Sequence, residues 1–229
     1  MYQTLDDLLD RDTVASARQR LQALPASDWA DGRDSAGPQA RNVKSNLQLP
    51  HGHPLATELR ETVGVALHRT PLFLSAALPL KLLTPRINRY DPGHPAYGWH
   101  VDNAVRLRSD GEHVRADLSC TVFLNDPDEY EGGELVIADG EVEHQIKLAA
   151  GSAVLYRGHT LHQVRPVVSG MRLACFLWVQ SLVPGDTERD ILHSLDMALV
   201  SLRQRHGETE EATSLTAVYH RLLRLWART

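Results

Sequence analysis

The segment running from Arg89 closes on a His-x-Asp pair, His100 and Asp102, and further along the chain come a third histidine, His162, and an arginine, Arg172. Two imidazoles and one carboxylate are the ligand set of a facial iron(II) site, which leaves positions open for a co-substrate and dioxygen. On an extended strand, residues two apart point to the same face, so His100 and Asp102 can grip one ion while Val101 turns away. Arg172 then has a task, because its planar fork can hold the far carboxylate of an oxo acid chelating the metal. It opens an otherwise apolar run, where an unpaired guanidinium would be costly. His159 competes with His162 for the third ligand position. The spacing to Arg172 and the extended run His162-Gln163-Val164 favour His162, leaving His159 at the entrance or in a supporting place. Tyr90 suits two roles equally: a hydroxyl aimed at the oxo acid, or a core tyrosine with its hydroxyl satisfied.

Other polar clusters read as structural. His51-Gly52-His53 resembles a second ligand pair, but Gly52 and Pro54 around it indicate a loop. His94, between Gly93 and Pro95, reads as a turn residue. Glu131-Gly132-Gly133-Glu134 is too short for a phosphate cradle and lacks a following helix, so it reads as a strand-entry turn. Cys120 and Cys175 read as small buried hydrophobes, not nucleophiles.

The elements that must position these groups change character along the chain. Helices are predicted over about Thr13 to Leu24, with Asp12 as cap, and about Pro54 to His68. The second carries Pro in its first turn and Leu55, Leu59, Val63 and Leu67 at four-residue spacing. Asp28 to Pro38, rich in Gly, Asp and Ser, reads as a flexible loop near the site, and Val43 to Leu49 as a short strand. From Leu80 the period becomes two. Strands are expected at Lys81–Tyr90, Asp117–Asn125, Glu134–Ala138, Glu143–Leu148, Ala153–Tyr156 and Arg172–Ser181, which suggests an antiparallel sandwich or jelly roll. Arg172, Ala174, Phe176 and Trp178 share one face of the last strand. Its other face is also apolar, so it is expected to be central and covered by helices on one side. The tail returns to helix, with stripes at Ile191, Leu195, Ala198, Leu199 and Leu202 and at Leu215, Val218, Leu222 and Leu225, suited to covering the barrel or to a homodimer.

A chain of 229 residues can bury a substantial core. The net charge of −5 comes without a basic stripe and argues against nucleic acid as partner. Two cysteines fit a reducing compartment. The acidic N-terminus is unlike a signal peptide, and the longest apolar stretch, Phe73 to Leu83, is broken by Pro79 and Lys81 and too short for a bilayer. A soluble cytoplasmic protein without membrane contact is expected.

Taken together, Arg89-Tyr90, Tyr97, His100-Val101-Asp102, Phe123-Leu124-Asn125, Tyr130-Glu131-Gly132-Gly133-Glu134-Leu135, Leu161-His162-Gln163-Val164 and Gly170-Met171-Arg172 resemble the prolyl-4-hydroxylase-like iron(II)/2-oxoglutarate dioxygenases. Within that superfamily the chain looks most like the bacterial PKHD-type hydroxylases, sometimes linked with iron-uptake systems. The likeness covers most of the chain and is specific over residues 80–182. It implies an α+β fold: a double-stranded β-helix (jelly-roll) core at 80–182, an N-terminal helical and strand support region at 1–79 packed on it, and a C-terminal helical extension at 183–229. It also implies Fe(II) on His100, Asp102 and His162, 2-oxoglutarate held by Arg172, O2 as co-substrate, and L-ascorbate as the reductant that rescues oxidised iron. Two departures from the wider pattern matter. An arginine stands where collagen-type enzymes use lysine, and Phe123 stands where some relatives direct a tyrosine hydroxyl at 2-oxoglutarate, a contact left to Tyr90. The substrate, whether small molecule or protein side chain, is open, and proline does not follow from the family name.

The implied activity is a hydroxylase coupling 2-oxoglutarate decarboxylation to C–H oxidation. A zinc hydrolase on the same ligands has no use for Arg172 and lacks a nearby general-base glutamate. A non-catalytic sensor of iron or 2-oxoglutarate is the other alternative.

Overall fold

The computed structural model describes residues 2–35, 37–108 and 110–229, with Pro38 described through its backbone alone. Ala36, in the expected Asp28–Pro38 loop, and Ser109 lie outside the described residues. The front of the chain holds β1 (Tyr2–Leu5), α1 (Arg11–Gln22), β2 (Ala30–Asp31), α2 (Pro38–Arg41), β3 (Lys44–Ser45), β4 (Leu47–Gln48), α3 (Pro54–Arg69) and α4 (Pro71–Ala77). The middle holds β5 (Pro79–Leu82), β6 (Arg86–Tyr90), β7 (Ala96–His100), β8 (Val105–Leu107), β9 (His113–Arg115) and β10 (Leu118–Phe123). Then come β11 (Tyr130–Gly132), β12 (Leu135–Asp139), β13 (Val142–Ile146), β14 (Ala153–Arg157), β15 (His162–Val164), β16 (Val167–Gly170) and β17 (Arg172–Ser181). Helices α5 (Asp186–His206) and α6 (Glu210–Trp226) close the chain.

Two sheets make the sandwich. The larger runs β1-β14-β10-β17-β6-β4-β2, with β5 also on β17, and the smaller runs β13-β12-β15-β7-β3. Tyr90, Phe123 and Val154 from the first meet Leu135, Ile137 and Val164 from the second in one apolar cluster, so the two sheets face each other. The outer face of the large sheet, through Cys120, Val122, Leu173, Cys175 and Leu177, packs on Val14, Leu21, Leu59, Val63 and Phe73 of the helices. Strand β17 is central, as its two apolar faces require, and is flanked by β10 on one side and by β6 and β5 on the other. Burial pushes the Cys175 thiol up to about 12, so it is an inert packing group there, and the Cys120 thiol is likewise raised.

Several boundaries differ from the expected ones, each for a local reason. Helix α1 starts two residues early because its cap is Asp10, not Asp12; Asp10 accepts from both the backbone N–H (2.9 Å) and the hydroxyl (2.7 Å) of Thr13. The expected strand Lys81–Tyr90 is interrupted between Leu82 and Arg86, where Pro85 has no N–H to give to the ladder, and both pieces pair with β17. Val43–Leu49 divides into β3 and β4, which join opposite sheets through a buried Asn46. Gly32 donates its N–H to Asn46 O at 2.8 Å and has no room for a side chain there. The Asp28–Pro38 loop is built as short helical turns and the β2 pairing. His53 caps α3, its Nδ1 accepting from Leu55 N–H at 3.2 Å, and His94 sits in a turn bridged to Asp91.

The tail packs through part of the expected stripes, with Leu199 and Leu222 covered, and through neighbours outside them. Leu192 of α5 and Tyr219, Leu222, Leu223 and Trp226 of α6 cluster with Leu78 and Val183, while Ile191, Leu215, Val218 and Leu225 are exposed. Among the described residues no helix is long and apolar enough to cross a membrane.

Candidate metal centre

Strands β7 and β15 are neighbours in the small sheet, and their register sets His100 directly opposite His162. The two imidazole centroids are 4.2 Å apart. Each ring is oriented by its own strand: His100 Nδ1 is 2.8 Å from Gly98 O, and His162 Nδ1 is 2.9 Å from Thr160 O. A carbonyl can only accept, so both Nδ1 atoms carry the proton and both Nε2 lone pairs are free for a metal. Tyr97 stacks flat on His100 at 3.5 Å between centroids, and Tyr156 meets His162 edge-on at 5.1 Å.

Asp102 corrects one detail of the sequence reading. Strand β7 ends at His100, so Asp102 lies in the following loop and is not on an extended strand with it. Val101 is still turned outward, at 45% exposure. The carboxylate is fixed by other contacts: Ser119 donates its hydroxyl to Oδ2 at 2.7 Å, and Arg106 lies 3.5 Å from Oδ1. Oδ2 is 3.8 Å from His162 Nε2. One ligand atom from each of His100, Asp102 and His162 falls within 4.8 Å of the others, a spread that a small closure round an ion with bonds of about 2.1 Å would take up.

The electrostatics suit a cation. Burial, with the neighbouring His162, pulls His100 down to about 3. Burial alone would raise Asp102, but His162, hydrogen bonds from Trp178 and Ser119, and the Arg106 charge turn the net shift downward. A neutral His100 and an ionised Asp102 are the forms that ligate a metal. For the metal-free protein the shift of His100 has a sign. The unfolded histidine takes up a proton near 6.5, which the folded one refuses until about 3. Stability is therefore intact above about 6.5 and falls as the pH drops toward 3. Melting curves of metal-free protein between pH 7.5 and 4.5 should show this decline, and His100→Gln should flatten it.

Arg172 opens β17 opposite Tyr90 of β6 and is 1% exposed. The neighbouring Leu173 N–H donates to Asn125 Oδ1 at 2.7 Å, which anchors this end of the strand. The guanidinium carbon sits 5.3 Å from the ring centroids of both Tyr90 and Phe123. Its Nε and Nη1 are buried and have no partner of good hydrogen-bond geometry among the described residues, with the Tyr130 hydroxyl acting on the guanidinium from close by. Burying such a group unpaired is costly, so it fits an anion arriving in the cavity. Phe123 provides an apolar wall and no hydroxyl. Tyr90, buried with its pKa raised by burial, lines the same cavity as Arg172, His100, Asp102 and His162.

Gly133 is part of this arrangement. Its φ is +69°, and a Cβ there would lie 2.9 Å from Tyr130 and Val167 and 3.1 Å from Arg172 Cδ. Gly133→Ala should displace the Arg172 stem and weaken binding of the oxo acid that the sequence resemblance implies for this arginine at least about tenfold, that is by about 1.4 kcal/mol. Calorimetric titration of the variant checks this.

His159 is placed away from this cluster. Its side chain is 68% exposed and its Nδ1 lies 3.4 Å from Asp186 at the start of α5. The sequence reading passed over Ser119 and Tyr156, the roles of Tyr97 and Trp178, and the cavity residues Lys44 and Asn46; Arg106 lies in the segment Asn103–Arg115, which the sequence offers as pocket-shaping without singling out the arginine. Trp178 was within reach, because it shares the Arg172 face of β17 at even spacing. Lys44 and Asn46 had no signal, since only the crossing between the two sheets brings them to the cavity.

Residues 85–180 match the family model described as 2OG-Fe(II) oxygenase superfamily, and residues 186–228, covering α5 and α6, match the PKHD-type hydroxylase C-terminal domain. A PKHD-type hydroxylase of Polaromonas sp. (strain JS666 / ATCC BAA-500) is 55% identical over 230 residues, spanning 100% of each chain. Among solved structures, a Pseudomonas putida prolyl-4-hydroxylase has a TM-score of 0.51 at 21% identity, covering 79% of this chain and 92% of that one. A Trichoplax adhaerens prolyl hydroxylase, solved in complex with a hypoxia inducible factor peptide fragment, has a TM-score of 0.56 at 16% identity, covering 83% and 86%. These two structures share the jelly-roll fold with this chain.

Proposed function

The chain belongs to the PKHD-type hydroxylases of the 2OG-Fe(II) oxygenase superfamily, and from that premise we propose that His100, Asp102 and His162 hold its iron while Arg172 grips the distal carboxylate of 2-oxoglutarate. The activity is that of a 2-oxoglutarate-dependent dioxygenase, a hydroxylase. When bound, ferrous iron with 2-oxoglutarate supplies the chemistry: decarboxylation of the oxo acid to succinate, coupled to placing one oxygen atom of O2 in a substrate C–H bond.

The chain's own groups then have separate tasks. Gly98 O and Thr160 O keep the two histidines in the tautomer that points Nε2 inward. Ser119 holds the Asp102 carboxylate. Tyr97 and Tyr156 pack on the two imidazoles, shield them from water and limit their rotation. Arg172 orients the co-substrate, and Tyr90 offers its hydroxyl to the same molecule in place of the contact that Phe123 lacks. The observation that carries the reading is the buried guanidinium, with two nitrogens lacking a hydrogen-bond partner among the described residues, in the same cavity as the convergent triad. A zinc hydrolase leaves that guanidinium without a use.

Finer points extend the reading. L-Ascorbate is proposed as the reductant of oxidised iron, and a tie to iron uptake as the physiological setting. The cytoplasm is proposed as the compartment, supported by the two free thiols of Cys120 and Cys175. A homodimer through the tail is proposed on the exposed Ile191, Leu215, Val218 and Leu225, and light scattering of wild type against Leu225→Glu tests it. The central test is an anaerobic titration of protein with Fe(II) and 2-oxoglutarate, following the weak visible band of the chelate. Succinate released on admitting oxygen then separates an enzyme from a sensor, and absence of both signals would end the assignment of residues.

A further inference from the structure

Beyond the triad and Arg172, the cavity carries positive charge that neither metal nor co-substrate removes. Lys44, buried on β3 beside Tyr97, points its Nζ at the Ser35 hydroxyl at 3.0 Å and lies 4.9 Å from the Tyr97 ring centroid. Arg106 stacks on Trp178, with its Cζ 3.2 Å from the ring centroid; its Nη2 lies 3.5 Å from Asp102, and its buried Nε has no partner among the described residues. Arg86 comes from β6, in alternation with the lining residues Asn88 and Tyr90 and opposite the lining residue Phe176. Burial is the one influence on its charge, and no hydrogen bond or ion pair of its guanidinium is seen among the described residues. The amide of the buried Asn46, also in the lining, has the Tyr90 hydroxyl beside it and no other hydrogen-bond partner among the described residues.

Burial is the leading cause that lowers the pKa of all three cations. They also act on one another: Arg86 and Arg106 depress Lys44, to about 8, and Arg86 depresses Arg106, to about 10. Lys44 and Arg106 line the cavity and Arg86 lies outside its lining. Against them, Asp102 is the single carboxylate among the described lining residues, and Asp31 also acts on Lys44 from outside it. A divalent iron and a dianionic oxo acid cancel each other, so loading leaves the imbalance as it stands. Arg86 lies four residues along the strand pair from Arg172, about 13 Å, so a carboxylate clamped by Arg172 does not reach it. Asp102 offsets part of this charge, and the excess of cations that is left in the cleft points to a bound anion.

We propose that Lys44, Arg86 and Arg106 form an anion subsite for the molecule to be hydroxylated, which therefore carries a carboxylate or phosphate group. The inference rests on the dioxygenase reading above. It adds that the substrate enters anion-first along the β6 side of the cavity and is held there by charge, with its reacting C–H directed to the triad. Asn46 supplies neutral hydrogen bonds beside the cations.

The test uses protein loaded with Fe(II) and 2-oxoglutarate under argon. It is titrated calorimetrically with methyl phosphate, with N-acetylglycine, and with N-acetylglycinamide as the neutral control, at constant ionic strength. At least one anion should bind saturably, the amide should not, and Arg86→Gln and Lys44→Gln should each weaken that binding tenfold or more. The preferred anion tells a phosphoryl from a carboxyl source. Because Arg86 has no hydrogen-bond or ion-pair partner among the described residues, R86Q should also raise the melting temperature of ligand-free protein; a lower value means a structural arginine and counts against the subsite. Equal binding of anions and amide, or unchanged binding in both variants, overturns the subsite and leaves the dioxygenase reading standing. Failure to take up Fe(II) and 2-oxoglutarate overturns that reading instead.

Discussion

Arg172→Met should weaken 2-oxoglutarate binding by about 3–6 kcal/mol, roughly 10²- to 10⁴-fold, while Fe(II) affinity stays nearly unchanged. The figure follows from two charge-assisted hydrogen bonds of about 1.5–3 kcal/mol each, and it is an upper range because water can enter the truncated site. Burial makes the expectation sharper. The guanidinium is 1% exposed with Nε and Nη1 unpaired, so in the ligand-free protein it is a cost. The methionine variant should therefore melt higher than wild type without ligand and gain far less from added 2-oxoglutarate. These two effects have opposite signs, which a merely damaged fold does not produce. Arg172→Lys keeps the charge and loses the fork, so it should fall between the two. Calorimetry and melting curves with and without 2-oxoglutarate read both effects, and a wild-type affinity in Arg172→Met would remove the arginine from the site.

The parts of this architecture visible in the sequence are those written in short-range pattern. The period-two alternation of Arg172–Ser181 matches β17 end to end, and the four-residue spacing from Leu55 to Leu67 matches the buried face of α3. His100, Asp102 and His162 were singled out by residue type and spacing, and their ligand atoms do converge. What was hidden depends on contacts between distant segments. Strand β1 was not recognised, because a four-residue strand at a chain end is recruited by pairing with β14 and carries little pattern of its own. The division of Val43–Leu49 between two sheets follows from where the sheets cross, which no local propensity encodes. The Ser119 hydroxyl on Asp102 needs the facing of β10 to the loop after β7. The tail stripes hold only in part, at Leu199 and Leu222, for a related reason: α5 and α6 offer more than one apolar face, and only packing on Leu78 and Val183 selects among them.

His162→Ala and Asp102→Ala should each abolish Fe(II) binding at micromolar metal, whereas His159→Ala should bind as wild type does. The argument is one of position. His162 is buried with Nε2 facing Asp102 at 3.8 Å, while His159 is 68% exposed and engaged with Asp186. Removing a group that only supports a ligand costs about 10- to 100-fold in metal affinity, so Ser119→Ala gives the scale for an indirect effect. Loss of a true ligand must exceed it. Asp102 carries a second burden, since it is the carboxylate that offsets Arg106 and Lys44 in the cavity. Asp102→Ala should therefore also lower the melting temperature of metal-free protein, an effect that His162→Ala, which removes no negative charge, should not share. Anaerobic Fe(II) titrations of the four variants, with melting curves beside them, separate ligand from support. Iron retained by His162→Ala and lost by His159→Ala would hand the third position to His159, and with it would go the geometry from which Arg172 receives its partner.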